Sequence, residues 1–404
     1  MIYLEIPKKL RPLVEQARQV GEHAFRPIAR KYDLAEHAYP KELDLLGSLL
    51  RGMSEGGGTT GAGAGGLSGG DKADPDQNRN GGNMATVLGM TELCWGDVGL
   101  SLTIPGQGLG NAAITAVGND EQRERLGGLW AAMAITEPEA GSDPSAVRTT
   151  ARLDGDEWVI DGEKIYVTCG ERADAVVVWA TLDRSQGRAA IKSFVVEKGT
   201  PGMKVERLDK KLGIRASDTA TVSFTDCRIP RNNILGSPEI KPRRGLSGAK
   251  KTFDNTRPVV AAMALGVARA SLELTRKLLR VDGIEATTYA GTQLTAHAAE
   301  AELYRMEAEL EAARLLTLKA AWMADNKIPN SVEASMSKAK AARVANHITL
   351  RCVELCGAAG YTERELLEKW ARDSKILDIF EGTQQIQMLI IARRLLEKRS
   401  TELR

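Results

Sequence analysis

The hydrophobic period of this chain changes twice, and that limits the folds open to it. Residues 8–53 carry apolar side chains at helical spacing, with Leu10, Leu13, Val14, Ala17 and Val20 on one face, and helical spacing returns from residue 246 onward, as in Leu303, Met306, Leu310 and Ala313. Between 134 and 235 the pattern is strand-like instead: Trp158-Val159-Ile160, Lys164-Ile165-Tyr166-Val167, Ala175 to Ala180, Ser193 to Val196 and Thr219 to Phe224. Asp154-Gly155 and Asp161-Gly162 read as turns between such runs. No helix alternates with these strands, which predicts a mostly antiparallel, barrel-like sheet. A chain of 404 residues needs more than one simple core. The expected fold is α+β: an N-terminal helical domain over 1–133, a β domain over 134–240 and a C-terminal helical bundle over 241–404.

Two glycine-rich stretches carry no nucleotide chemistry on this reading. Residues 55–82 are low-complexity Gly, Ser, Thr and Ala followed by polar residues, too apolar-poor to repay ordering, and are expected to be a mobile surface insertion. Gly106-Gln107-Gly108-Leu109-Gly110 lies in a helical region without a βαβ unit, which argues against a Rossmann site. The 55 basic and 53 acidic residues leave a net charge of +2, so no global field draws nucleic acid or an anionic membrane. No apolar run reaches the ~20 residues of a membrane span, and the N-terminus lacks a leader's apolar core. Five scattered cysteines (Cys94, Cys169, Cys227, Cys352 and Cys356) predict buried thiols in a reducing cytoplasm, and no metal site is expected.

One carboxylate stands out. Glu381 falls between the apolar Ile376-Leu377-Asp378-Ile379-Phe380 run and Gly382-Thr383, where a new helix begins. Burial raises a carboxylate's pKa, and a stronger base suits removal of a weakly acidic C–H proton. Such a proton becomes acidic enough only if the adjoining carbonyl oxygen receives hydrogen bonds as enolate charge develops.

Four segments in order resemble the acyl-CoA dehydrogenase family: Ala134-Ile135-Thr136-Glu137-Pro138-Glu139-Ala140-Gly141-Ser142-Asp143, Lys164-Ile165-Tyr166-Val167-Thr168-Cys169-Gly170, Asp254-Asn255-Thr256-Arg257-Pro258 and Phe380-Glu381-Gly382-Thr383-Gln384-Gln385-Ile386-Gln387. The resemblance implies an α–β–α flavoenzyme that oxidises the Cα–Cβ bond of an acyl-CoA thioester with FAD and passes electrons to an electron-transfer flavoprotein. By matched position Glu381 is the base. Ile135, Thr136, Gly141, Ser142, Tyr166 and Thr168 line the flavin ring, and Thr383 and Gln385 reach its ribityl and phosphate portion. Ser142, Asp254, Arg257 and Phe380 face the substrate. Glutamate at 381 favours a straight-chain type, and Leu102, Thr103 and Ile104 are expected near the pocket floor.

The pattern is broken where the family serves a neighbouring subunit's flavin. An expected arginine aligns with Ala286, and an expected glutamine with Glu354 in Glu354-Leu355-Cys356-Gly357-Ala358-Ala359-Gly360. A carboxylate facing a diphosphate meets about 4 kcal/mol of repulsion per unit-charge pair at intermediate dielectric. The expected assembly is therefore a homotetramer or, with the missing groups supplied by a paralogous subunit, an α2β2 heterotetramer. Alternative readings are an acyl-CoA oxidase and a non-catalytic partner subunit.

Overall fold

The computed structural model describes residues 5–48, 79–106, 108–240, 247–281, 297–398 and 402, and for 247–255 and 281 the backbone alone. The glycine-rich run 55–78, the basic cluster 241–244 and the 285–290 stretch containing Ala286 lie outside the described residues.

The N-terminal helices Arg11–Gln19 and Arg26–Leu34 are joined by a π-helical turn, Val20–Phe25, and Pro40 leads into a further helical stretch at 41–48. Helices Gly82–Gly96, Val98–Ser101 and Leu109–Val117 follow, with a break after Ser101 inside what the sequence pattern reads as a helical region. The end of the insertion and the first turn of the helix after it are pinned: Asp325 accepts from the backbone N–H of Gly81, Asn83 and Met84 at 2.6, 2.9 and 3.0 Å.

The middle of the chain forms one seven-stranded sheet: β1 (Ala131–Ala134), β2 (Thr150–Asp154), β3 (Glu157–Thr168), β4 (Ala175–Thr181), β5 (Ile191–Glu197), β6 (Met203–Leu208) and β7 (Thr219–Pro230), ordered β1-β4-β2-β3-β7-β6 with β5 on β4. The pairings are antiparallel apart from β1 and β2 against β4. Asp161-Gly162, read as a turn, is instead a bulge inside β3: the register against β7 shifts between Ile160 and Gly162. Gly162 has φ +151°, and a Cβ there would stand 2.5 Å from the Thr149 hydroxyl oxygen. Glycine marks close backbone approach here, not reversal.

The C-terminal domain packs Ser247–Val281, Ala298–Asp325 and Ser331–Leu355 around one apolar core with Leu367, Trp370 and Leu377. Among the described residues, the segment Thr256–Arg280 is long and apolar enough to cross a membrane, yet it is mostly buried within the protein, as a core helix is.

The domains are locked together by charge as well as apolar contact. Lys369, 1% exposed at its side chain, bonds Asp97 and Asp373 at 2.5 Å each, and Asp373 also accepts from the Ile214 N–H. Burial would lower the Lys369 pKa, but the two carboxylates outweigh it and hold the ammonium above its ordinary value. Burial pushes Asp373 upward despite Lys369. Arg372 adds a second tie, to Asp33 at 3.0 and 2.6 Å.

Candidate active site

Glu381, the expected base, sits in a turn that the chain must be held into. The 3-10 turn Lys375–Asp378 leads to Phe380, half-buried against the C-terminal core. Glu381 and Gly382 then both adopt left-handed backbone, with φ +55° and +91°. A non-glycine residue there is strained by roughly 1–2 kcal/mol. Thr383 caps the helix Gln384–Leu395, accepting from the Ile386 N–H. Three bonds fix the turn's carbonyls: Gln387 Nε2 donates to Glu381 O at 3.0 Å and Gly382 O at 3.2 Å, and Lys338 Nζ donates to Gly382 O at 2.7 Å. The Glu381 N–H has no acceptor among the described residues.

The Glu381 carboxylate accepts from the Thr256 hydroxyl at 2.7 Å. Some of the residue's surface remains open, but protein closes around the carboxyl group itself, and its local desolvation governs its charge. That burial pushes Glu381 above the ordinary glutamate range; Thr256, Arg257 and Lys338 pull it back without cancelling the shift. Arg257 is buried at 7% exposure beside it. Asp254 lies on the same helix, its side chain outside the described residues.

A second constellation lies on the sheet. After β1 the chain runs through Ile135 and Thr136, whose carbonyl accepts from Ile165 N–H at 2.9 Å, so this segment lies along β3. Glu137 is the buried anchor. Its carboxylate accepts from the Arg148 N–H (2.6 Å), the Thr149 N–H (2.9 Å), the Thr149 hydroxyl (2.5 Å) and Lys164 Nζ (2.7 Å). Lys164 also reaches Ile135 O at 3.3 Å. Burial alone would raise Glu137, but Lys164 overrides it and holds the carboxyl below its usual range. Burial pushes Lys164 down to about 8 against Glu137, which leaves the pair ionised near neutrality. Glu137 and Ala140 exchange backbone bonds, closing the turn that presents exposed Gly141 and Ser142.

Opposite that turn β3 is irregular between Lys164 and Val167, and Tyr166 takes φ +59°. Tyr166 is 64% exposed; Thr136 pairs with its chain neighbour Ile165, and Ile135, Thr136 and Thr168 are half-buried. An aromatic shelf bordered by hydroxyls, with nothing within 4 Å of a Cβ placed on Gly141, fits a flat, partly polar ring such as isoalloxazine. Thr383 and Gln385 stand on the helical side, at the first turn of the last helix. The two halves keep a fixed relation through Asp373, eight residues before Glu381, and its bond to Ile214 of the β domain. They are also joined to the linker by Cys169, whose thiol donates to Leu102 O at 3.2 Å.

The expected pocket floor is only partly open. Ile104 and Leu100 belong to the N-terminal core with Phe25 and Leu43, and fully buried Thr103 bonds Leu100 O. Leu102 alone of the three is partly exposed, packed against the C-terminal core that Met90 and Phe380 also touch. Sequence reasoning passed over Thr256, Lys338, Gln387, Glu137 and Lys164. Thr256 and Glu137 stood inside recognised motifs. Lys338 had a signal too: it shares helical spacing with buried Ala334, Ala341, Ala342 and Ala345.

Residues 132–227 match the acyl-CoA dehydrogenase middle-domain family model and residues 243–396 the C-terminal domain model. The short-chain specific acyl-CoA dehydrogenase of Bos taurus mitochondria is 35% identical over 413 residues, covering 98% of this chain and 92% of that protein. The chain belongs to the acyl-CoA dehydrogenase family. Among solved members, butyryl-CoA dehydrogenase from Megasphaera elsdenii superposes with a TM-score of 0.82 at 29% identity, covering 98% of this chain and 100% of that one. Glutaryl-CoA dehydrogenase from Mycobacterium smegmatis in complex with FADH2 gives 0.78 at 26%, covering 97% and 96%. Family membership makes the protein an oxidoreductase, and its helical–sheet–helical order is the family's fold.

Proposed function

We propose that the protein is an FAD-dependent acyl-CoA dehydrogenase acting on short, straight-chain acyl thioesters. The carrying observation is Glu381, its carboxyl desolvated and its pKa raised in a turn whose own N–H is unengaged among the described residues. Glu381 takes the α-proton, and its N–H meets the thioester oxygen as negative charge builds there. The Tyr166 shelf would hold FAD, which would supply a hydride acceptor for the β-hydrogen. One C=C bond would form as two C–H bonds break: the proton would rest on Glu381, the hydride would go to the flavin, and its two electrons would pass on to an electron-transfer flavoprotein. Ile135, Thr136, Gly141, Ser142, Tyr166 and Thr168 would hold the ring, Thr383 and Gln385 its tail, and Arg257 and Phe380 would border the thioester. The preference for short chains draws on the bovine and Megasphaera relatives, named for short and butyryl substrates.

Anaerobic addition of acyl-CoA esters from butyryl to palmitoyl tests this reading. Butyryl-CoA is expected to bleach the flavin fastest, with slow reoxidation by dioxygen. Rapid oxygen reoxidation would favour the oxidase, and no bleaching by any ester would favour a non-catalytic partner.

Glu354 supports a heteromer. It is exposed at the end of Ser331–Leu355 and ion-paired with Arg351, which also holds Glu302. A patch holding two carboxylates around one arginine suits a neighbour's diphosphate poorly. The chain expressed alone is expected to hold substoichiometric flavin and to gain it with a paralogous subunit. A flavin-replete homotetramer by mass would contradict the α2β2 assembly.

A further inference from the structure

We propose that Lys338 is a positioning residue for α-proton abstraction, holding the Glu381–Gly382 turn in register with the acyl thioester through its bond to the Gly382 carbonyl. This rests on the dehydrogenase reading above. Lys338 lies on the buried stripe of Ser331–Leu355 with 0% exposure, and its ammonium reaches across to the loop carrying the base. The loop needs such a hold. Glu381 and Gly382 are consecutive left-handed residues, and rotating the peptide between them would exchange the direction of a carbonyl and an N–H. Gln387 secures the Glu381 carbonyl but meets that of Gly382 only at 3.2 Å, whereas Lys338 meets it at 2.7 Å. The lysine sets the second carbonyl, and with it the course of the chain into the Thr383 cap.

As a stabilising contact Lys338 is a poor choice. A buried ammonium with one backbone acceptor gains less than its desolvation costs, and burial pushes Lys338 down to about 8. The charged groups acting on it are Asp378 of the preceding 3-10 turn, Glu381 itself and Arg257 from the long helix. It also favours the ionised form of Glu381, as Arg257 does. Lys338 therefore both fixes the base's backbone and offsets part of its desolvation.

Two variants of the flavin-loaded enzyme test the assignment with butyryl-CoA. Lys338→Met removes donor and charge, and Lys338→Gln keeps a donor. Lys338→Met is expected to lower kcat about 10- to 100-fold with little change in KM. It should also move the acid limb of kcat/KM to higher pH, because loss of a nearby positive charge disfavours the carboxylate. Lys338→Gln should recover most of kcat while keeping the shifted limb. Wild-type kcat and pH profile in both variants would overturn the proposal. So would loss of flavin and a fall in melting temperature in both, which would mark the lysine as a fold contact. A wild-type protein that no acyl-CoA reduces would end the functional reading, and this one with it.

Discussion

Glu381 is under opposing influences, and for the proposed base their balance would set the pH at which it works. Burial raises its pKa, while the Thr256 hydroxyl, Arg257 and Lys338 favour the carboxylate. A base must be ionised to accept a proton, so kcat/KM falls as pH drops through the pKa of the free enzyme's base. The raised value places that fall above the ordinary glutamate range. Thr256→Val removes a hydrogen bond made to the charged form, so its acid limb should move further up and activity at neutral pH should drop. A limb unmoved by Thr256→Val would mean that the 2.7 Å bond does not tune the base. Glu381 was legible from sequence because Phe380-Glu381-Gly382-Thr383 combines an apolar run, a charge and a helix start. Its supporters were not, since Thr256 lies 125 residues away and Lys338 lies 44 residues from the carbonyl it holds. Nothing local in sequence encodes such pairings.

At the scale of elements, the proposed cofactor shelf adjoins a buried ion pair, Glu137 with Lys164. Glu137 collects two backbone N–H groups, a hydroxyl and Lys164, tying the 135–142 segment to β2 and β3. Glu137→Ala would leave Lys164 buried and unpaired together with those donors, a loss of about 3–5 kcal/mol. Flavin content is expected to fall more than the helical circular dichroism signal; unchanged flavin content would show that the anchor does not shape the shelf. Strands β3, β4, β5 and β7 were readable because their β-branched and aromatic runs match a pleated, half-buried surface. Strand β1, Ala131–Ala134, was not, because small side chains in a mostly buried strand leave no alternation to read. Strand β6, Met203–Leu208, is largely polar at the sheet edge and reads as loop. The bulge at Gly162 mimicked a turn because both call for glycine.

Across the whole molecule, the site exists only while the sheet and the two helical domains keep their mutual placement. The Lys369–Asp97–Asp373 cluster joins the helix Val98–Ser101, the Ile214 loop of the β domain and Leu367–Ser374, which leads directly to Glu381. Lys369→Met leaves two buried carboxylates without their cation, and is expected to cost about 3–5 kcal/mol in denaturant unfolding. Flavin release should precede global unfolding in that variant. A loss below about 1 kcal/mol would place the domain lock in the apolar contacts instead. The α+β order was legible because period changes persist over tens of residues, whereas this junction brings together residues from three distant segments.

The central claim is that Glu381 removes the α-proton while the flavin takes the hydride. The direct measurement is the anaerobic rate of flavin bleaching by butyryl-CoA in the wild type and in Glu381→Gln, matched for flavin content. The account predicts rapid bleaching in the wild type and a loss of at least about 10³-fold in the variant, in line with removal of an essential base. Equal bleaching rates would contradict it and place the base elsewhere.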